Sequence, residues 1–148
     1  MKIILGADHR GYELKNQIIA WLQQARIDYF DAGATKFDAE DDYNDYAKNV
    51  ALSIQNTPAD LTRYGILVCG SAQGVAMQAN RYRGVRAAIC DAADQAAETR
   101  SHNNANILCL PADRVDIEQA IPIIETFLQT AALTGEKYQR RNKKLDEE

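Results

Sequence analysis

A cysteine followed by a glycine-bounded loop is the feature of this sequence with the clearest chemical potential. Residues 66–74 read ILVCGSAQG, so Cys69 ends an apolar run and Gly70 and Gly74 bracket the turn after it. Backbone N–H groups at a helix start attract negative charge, lower the pKa of a nearby thiol and can hold an anionic intermediate. The alternative is a core cysteine that only fills space, because free cysteine is among the most buried residue types.

Two further segments carry groups that can move protons or bind anions. Residues 7–11 read ADHRG, and residues 100–104 read RSHNN and contain His102, the second of two histidines. Asp and His can transfer protons, while His and Arg at a helix start can bind a phosphate. A capping Asp8 and a solvated histidine are the alternatives when each segment is taken alone. We expect both histidines in loops on the same edge of a sheet, or near it.

The C-terminal segment adds a group of cations. Lys137 and Arg141 are four residues apart, so they share one helical face and can bind one phosphate together. A solvated terminal helix is the alternative explanation of these charges.

Nucleotide and metal motifs do not fit these segments. Gly70 and Gly74 lack the third glycine of a dinucleotide-binding turn, and Tyr12 and Glu13 stand where a P-loop needs Lys and Ser or Thr. No three His, Cys, Asp or Glu residues show the spacing of zinc ligands. The sequence therefore implies no metal.

Composition and charge narrow the class of protein. The 148 residues suffice for a core, so we expect one domain over residues 1–148. A net charge of -4 argues against a nucleic-acid partner.

No apolar run approaches the roughly 18 residues of a membrane span, so no membrane partner is expected. A short N-terminal apolar run and three widely spaced cysteines without a CxxC motif predict a cytoplasmic protein.

Short apolar runs alternate with amphipathic stretches along the chain. The predicted strands cover residues 2–7, 27–31, 64–69, 85–90 and 105–110, the predicted helices cover 13–25, 44–55, 74–81, 92–100 and 118–131, and a C-terminal helix or tail covers about 135–148. Alternation implies parallel pairing through helical crossovers, and continuous apolar strands are typical of a sheet covered on both faces. The sequence predicts a doubly wound, Rossmann-like α/β fold with a five-stranded parallel sheet, in which ligands bind at the carboxyl ends of the strands.

In this order, the segments resemble the type B ribose-5-phosphate isomerases, the family that also contains the galactose-6-phosphate isomerase subunits. The resemblance runs from Met1 to about Leu145. It rests on GADHRGYELK at 6–15, DYNDYA at 42–47, CGSAQG at 69–74, ANR at 79–81, GVRA at 84–87, RSHNNAN at 100–106 and GEKYQRR at 135–141.

The resemblance implies an enzyme that interconverts D-ribose 5-phosphate and D-ribulose 5-phosphate through an enediolate, without metal or cofactor. By position, Cys69 is similar to the base that moves a proton between C1 and C2. The loop would stabilise the enediolate with backbone N–H groups, with Ser71 in a hydroxyl position; its other members are Gly70, Ala72 and Gly74.

The same resemblance implies the remaining site residues. His102, aided by Asp8, would open the furanose ring, and Asn103 would bind sugar hydroxyls. The phosphate-binding positions and a tyrosine that lines the site are matched by His9, Arg114, Lys137, Arg141 and Tyr43. The family further implies a homodimer or homotetramer in which two subunits build each site.

Departures from the family pattern bear on the substrate. Ala72 replaces a glycine and adds a methyl group where the backbone approaches the ligand, and Lys137 keeps a positive charge without the bidentate fork of arginine. An isomerase of another sugar phosphate therefore stays open: a six-carbon one, such as allose or galactose 6-phosphate, or a four-carbon one. A sugar-phosphate-binding subunit without activity and a redox role for Cys69 stay open as well.

Overall fold

Five parallel strands form the centre of the computed structural model, which describes residues 1–147. The strands are β1 (Lys2–Ala7), β2 (Tyr29–Asp31), β3 (Arg63–Cys69), β4 (Ala87–Ile89) and β5 (Ile107–Pro111). They lie in the order β2-β1-β3-β5-β4, and every neighbouring pair is parallel. Glu148, the last residue of the predicted C-terminal segment, lies outside the described residues.

Helices cover both faces of this sheet. Within residues 1–147 they are α1 (Tyr12–Gln24), α2 (Tyr43–Gln55), α3 (Gln73–Ala79), α4 (Ala93–Asn103), α5 (Ile117–Gln129) and α6 (Glu136–Glu147). Helices α1, α4 and α5 pack on one face of the sheet, and α2 and α3 pack on the other. The predicted doubly wound α/β fold is confirmed. None of the helices in this part of the chain has the length and apolar character needed to cross a membrane.

A hydrophobic core lies on each face of the sheet. Because side chains alternate along the central strands, each of these strands contributes residues to both cores. Leu5 and Ile66 face α1, α4 and α5, whereas Ile4 and Leu67 face α2 and α3, and all four are at most 3% exposed. The edge strands β2 and β4 are each only three residues long, shorter than the predicted runs. An edge strand pairs on one side only, so fewer of its residues meet a neighbouring backbone.

Helix α4 extends further than its predicted end at Arg100. It continues to Asn103, and Asn104 ends it with φ 47° in the left-handed region, which asparagine tolerates better than most residues. His102 and Asn103 therefore lie in the last turn of a helix. The prediction of a loop at these residues was wrong.

Helix α6 is attached to the rest of the fold by polar contacts, since none of its residues is buried. Arg86 Nη1 lies 2.5 Å from Asp146 Oδ1, and Arg83 donates to the Asp146 carbonyl oxygen at 3.0 Å. Asn142 Nδ2 donates to the carbonyl oxygen of His102 at 3.3 Å. These bonds fix the basic residues of α6 beside the end of α4.

Candidate active site

The carboxyl ends of β1 and β3 bring the first predicted site residues together. These strands are neighbours at the centre of the sheet, with Ala7 opposite Val68. From β1 the chain continues to β2 on one side, and from β3 it continues to β4 and β5 on the other. This reversal is the switch point where doubly wound sheets open a crevice. Asp8 and Cys69 lie at that point.

Asp8 and Cys69 form a hydrogen-bonded pair. The Cys69 thiol donates to Asp8 Oδ2 over 3.1 Å, and Asp8 is only 3% exposed. Asp8 Oδ1 accepts the backbone N–H groups of Arg10 and Gly11 at 3.0 and 3.1 Å, which holds the turn before α1. Oδ1 of Asp8 thus stabilises the loop, and Oδ2 accepts the hydrogen bond of the thiol.

The pKa of Cys69 is raised to about 11, the opposite of the predicted direction. Burial is the largest cause, followed by the hydrogen bond to Asp8 and the charge of that carboxylate. The backbone N–H groups of Gly70 and Ala72 lower the pKa, as the sequence suggested, but by less. At neutral pH Cys69 is therefore a protonated thiol that is hydrogen-bonded to a carboxylate.

The loop after Cys69 places its side chains differently from one residue to the next. Ser71 is exposed, and its Oγ accepts the N–H of Gln73 at 3.3 Å. Ala72 begins α3 with φ 62° and is fully buried in the cluster that contains Val75. Its methyl group therefore packs in the core, and the approach of the Ala72 backbone to a ligand stays a prediction.

Side chains from other segments lie against both glycines of this loop. A Cβ on Gly74 would come within 2.6 Å of the Tyr43 ring, so Tyr43 at the start of α2 borders the loop. A Cβ on Gly70 would overlap the Arg10 guanidinium. Arg10 is paired in turn with Asp113, whose backbone N–H donates to the Gly70 carbonyl oxygen at 3.0 Å. Sequence reasoning considered Arg10 as a possible phosphate ligand without including it among the expected site residues, and it did not consider Asp113.

Arg114 follows Asp113 at the same edge of the sheet, in the turn after β5. Its Nη1 lies 3.7 Å from Asp91 Oδ2, and its side chain is largely exposed. The structure thus places an available cation at the edge that carries Cys69, and the role of Arg114 in phosphate binding stays a prediction.

His9 is joined to Asp41, a residue that sequence reasoning missed. The backbone N–H of His9 donates to Asp41 Oδ1 at 3.1 Å, and its Nδ1 lies 2.6 Å from the same oxygen. The hydrogen bond to Asp41 is the largest cause that raises the pKa of His9; burial opposes it and the charge of Asp8 adds to it. The acidic run before α2 is the only sequence signal for this pair, and it does not identify the partner.

Asp8, His9 and Asp41 place potential metal-ligand atoms within 4.8 Å of one another. Some polar atoms of these residues bond protein groups: Asp8 Oδ2 accepts the Cys69 thiol, and His9 Nδ1 meets Asp41 Oδ1. The three residues and Cys69 thus form one hydrogen-bond network.

A second group of predicted site residues surrounds a cavity of about 320 Å³ between α4 and α6. The His102 ring stacks on Tyr138, with centroids 5.3 Å apart and an angle of 15° between the planes. Lys137 Nζ lies 4.8 Å from the centre of the Tyr138 ring. Asn103 and Arg141 line the same cavity.

The two groups lie at opposite edges of the sheet. Helix α4 starts after β4 at the carboxyl edge and returns the chain to the start of β5. Its 11 residues span roughly 16 Å at 1.5 Å per residue. The prediction that both histidines share one edge was wrong, and one chain does not bring His102 to Cys69.

The fold and the site define an α/β protein with a hydrogen-bonded thiol and carboxylate at the switch point of a parallel sheet. Residues 3–145 match the model of the ribose/galactose isomerase family. The chain belongs to that family, as its motifs suggested.

Individual relatives agree with this assignment. The chain is 40% identical to a probable ribose-5-phosphate isomerase B of Mycoplasma pneumoniae, over 97% of this chain and 91% of the relative. A ribose 5-phosphate isomerase structure from Thermotoga maritima matches with a TM-score of 0.92 and 44% identity, covering 99% of this chain and 98% of the other. Ribose-5-phosphate isomerase B from Mycoplasma genitalium, solved with bound ribulose-5-phosphate, matches with a TM-score of 0.90 and 38% identity, covering 99% and 94%.

Proposed function

We propose that this chain is a single-domain aldose–ketose isomerase that interconverts D-ribose 5-phosphate and D-ribulose 5-phosphate. The names of its relatives and the ribulose-5-phosphate complex of one of them support this substrate pair. The observation that carries the proposal to this chain is the 3.1 Å hydrogen bond between Cys69 and Asp8, next to the loop of residues 70–74. Isomerisation needs such a base beside a site for negative charge.

In the proposed reaction, the Cys69 sulfur accepts the proton on C2 of the open-chain aldose while its own proton moves to Asp8. The C–H electron pair forms the C1–C2 double bond, and the former carbonyl oxygen becomes the enediolate oxygen. The N–H groups of Gly70 and Ala72 and the Ser71 hydroxyl are assigned to stabilise that oxygen. Cys69 then returns the proton to C1 and takes back its own proton from Asp8, while the proton on O2 moves to O1. This leaves the carbonyl at C2 and a hydroxyl at C1, which is the ketose.

The complete site is proposed to form between two copies of the chain, in a homodimer or homotetramer. Cys69, Asp8 and Tyr43 come from one copy. The second copy contributes His102 for ring opening and Asn103 for the sugar hydroxyls. The separation of these groups within one chain supports this arrangement, because the proposed ring opening and proton transfer act on one sugar.

Cations from both copies are proposed to bind the phosphate. His9 and Arg114 lie at the edge that carries Cys69, and Lys137 and Arg141 lie at the other edge, where Arg141 lines the second cavity. Several cations around one phosphate would offset its negative charge locally, although the whole chain has a net charge of -4. We place the protein in the cytoplasm, since its three cysteines are free and buried, as expected in a reducing compartment.

A substrate panel tests this function. The expected result is the highest kcat/KM for ribose 5-phosphate among five-carbon, six-carbon and four-carbon aldose phosphates. Preference for allose 6-phosphate, galactose 6-phosphate or a four-carbon sugar would change the substrate while keeping the reaction. Binding of these sugars without turnover would instead support a non-catalytic sugar-phosphate-binding subunit.

A further inference from the structure

Asp41 is a buried carboxylate to which the proposed reaction assigns no step. It lies between β2 and α2, and its side chain is only 5% exposed. Its Oδ1 receives both the backbone N–H and Nδ1 of His9, at 3.1 and 2.6 Å. Both bonds join Asp41 to the loop after β1, so this side chain does not stabilise the turn in which Asp41 itself lies. Burying a charged carboxylate is costly, and these bonds to His9 are its compensation.

The second oxygen of this carboxylate is also buried. Asp41 Oδ2 has no partner in hydrogen-bond geometry among the described residues. The Tyr46 phenol is nonetheless close: burial, then the charge of Asp41 and a hydrogen bond with Asp41 raise the pKa of Tyr46. Oδ1 is the oxygen that meets His9, at 3.1 and 2.6 Å.

The bond to Asp41 determines which nitrogen of His9 is available to a ligand. Because Nδ1 faces a carboxylate oxygen, it carries a hydrogen, and Nε2 is the nitrogen left to meet a ligand. The His9 side chain is 30% exposed and lines a cavity of about 660 Å³. A ligand in that cavity can reach the ring.

The charges around His9 favour its protonated form. Asp8 and Asp41 raise its pKa, and Arg10 from the same loop lowers it. Helix α1 adds two titratable side chains to the wall of the same cavity, Tyr12 and Glu13.

We propose that Asp41 is a positioning residue that fixes the His9 ring and presents its Nε2–H to the phosphate of the sugar. The identity of the ligand rests on the proposed function, whereas the coupling of Asp41 to His9 does not. A protonated imidazole with a fixed ring makes a charge-assisted hydrogen bond to phosphate without first having to order its side chain.

The first test is a nitrogen-15 NMR titration, which is simple because the chain has two histidines. In the wild-type protein, neutral His9 is expected to keep its hydrogen on Nδ1. In Asp41→Asn the pKa of His9 is expected to fall, while His102 serves as an internal reference. Asp38→Asn is the matched control, because Asp38 lies in the same loop and its side chain bonds the N–H of Glu40 instead of His9. Neutral His9 protonated on Nε2, or an unchanged titration in Asp41→Asn, would overturn the proposal.

The second test is kinetic. Asp41→Asn is expected to raise KM for ribose 5-phosphate about tenfold, because one charge-assisted hydrogen bond to the phosphate is weakened or lost. Little change in kcat is expected. The increase should be larger at high pH, where the variant's His9 has lost its proton and the wild-type His9 has kept it. An unchanged KM, or a fall in kcat alone, would contradict the positioning role.

A titration with inorganic phosphate tests the role of Asp41 independently of the proposed function. Added phosphate is expected to shift the His9 resonances of the wild-type protein, and to shift them less in Asp41→Asn. That result would support the Asp41–His9 coupling even for an enzyme inactive on ribose 5-phosphate. Should Asp41→Asn fail to fold, Asp41→Glu displaces the carboxylate by one methylene group and is expected to change the His9 titration. Equal phosphate responses in the wild type and the folded variant would overturn the role of Asp41.

Discussion

At the scale of single residues, the base and its neighbour have to be considered together. Burial and the Asp8 carboxylate both favour the protonated form of Cys69, and the N–H groups of Gly70 and Ala72 only partly oppose them. A thiol that is protonated at neutral pH acts as a base only if its own proton has a destination. In the proposed mechanism Asp8 Oδ2, which accepts the thiol's hydrogen bond at 3.1 Å, is that destination.

Asp8→Asn separates these two effects on Cys69. The substitution removes two of the causes that raise the pKa of the thiol, so the pH profile of Cys69 alkylation should move to lower pH from a wild-type midpoint of about 11. Turnover should nonetheless fall by about 100-fold, because the proton acceptor is lost. Iodoacetamide labelling followed by peptide mass spectrometry measures the first effect, with buried Cys90 and Cys109 as the baseline.

Two outcomes would contradict this description of the pair. An alkylation profile unchanged in Asp8→Asn would mean that the carboxylate does not control the thiol. Full turnover in the variant would mean that Asp8 does not receive its proton.

At the scale of elements, a buried ion pair ties α1 to the loop that leads towards Asp41. Lys15 is fully buried, and its Nζ donates to Asp31 Oδ1 and Oδ2 at 2.6 and 2.7 Å and to the Ala34 carbonyl oxygen at 2.7 Å. Asp31 also accepts the N–H of Gly33 at 3.0 Å. The end of β2 is thus fixed against the helix that follows Asp8 and His9.

Lys15→Met is expected to lower the free energy of unfolding by about 3 kcal/mol, because it leaves a largely buried carboxylate without its cation. Urea denaturation measures the change. The double variant Lys15→Met/Asp31→Asn should recover part of the loss, since neither charge then remains. Stability within about 0.5 kcal/mol of wild type in Lys15→Met would show that the pair is not needed.

The sequence was most informative about those elements whose local pattern and tertiary environment agree. The apolar runs that became β1, β3 and β5 are buried on both faces, so their composition alone indicated them. The end of α4 was missed because RSHNN is a polar run, and Asn104 ends the helix by a backbone conformation that sequence does not specify. The Asp41–His9 contact depends on how a loop returns over the sheet edge, and the pKa of Cys69 depends on how deeply it is buried.

At the scale of the whole molecule, the proposed site is divided between two edges of the sheet. Cys69 and Asp8 lie at the carboxyl edge, whereas His102 lies in the last turn of α4 beside α6. In the proposed mechanism, a second copy of the chain brings these groups together on one sugar. The sequence alone predicted that α4 ends at Arg100. His102 was therefore expected in a loop near the edge that carries His9, and its position at the opposite edge was missed.

Mixing two inactive variants tests this division. Cys69→Ala and His102→Ala are each expected to lose most activity alone. After unfolding and refolding together, half of the dimers carry one chain of each kind, and each of these has one intact site. Activity should therefore return to about a quarter of the wild-type value. If the refolded mixture is no more active than the separate variants, the proposal that two subunits share each site is contradicted.

The most direct measurement is the turnover of ribose 5-phosphate by folded Cys69→Ala, compared with Cys90→Ala. Both replace a buried thiol, but only Cys69 lies beside Asp8 and the loop of residues 70–74. We expect kcat to fall by roughly 100- to 10,000-fold in Cys69→Ala, and Cys90→Ala to keep wild-type turnover. Wild-type turnover in folded Cys69→Ala would contradict the assignment of Cys69 as the base.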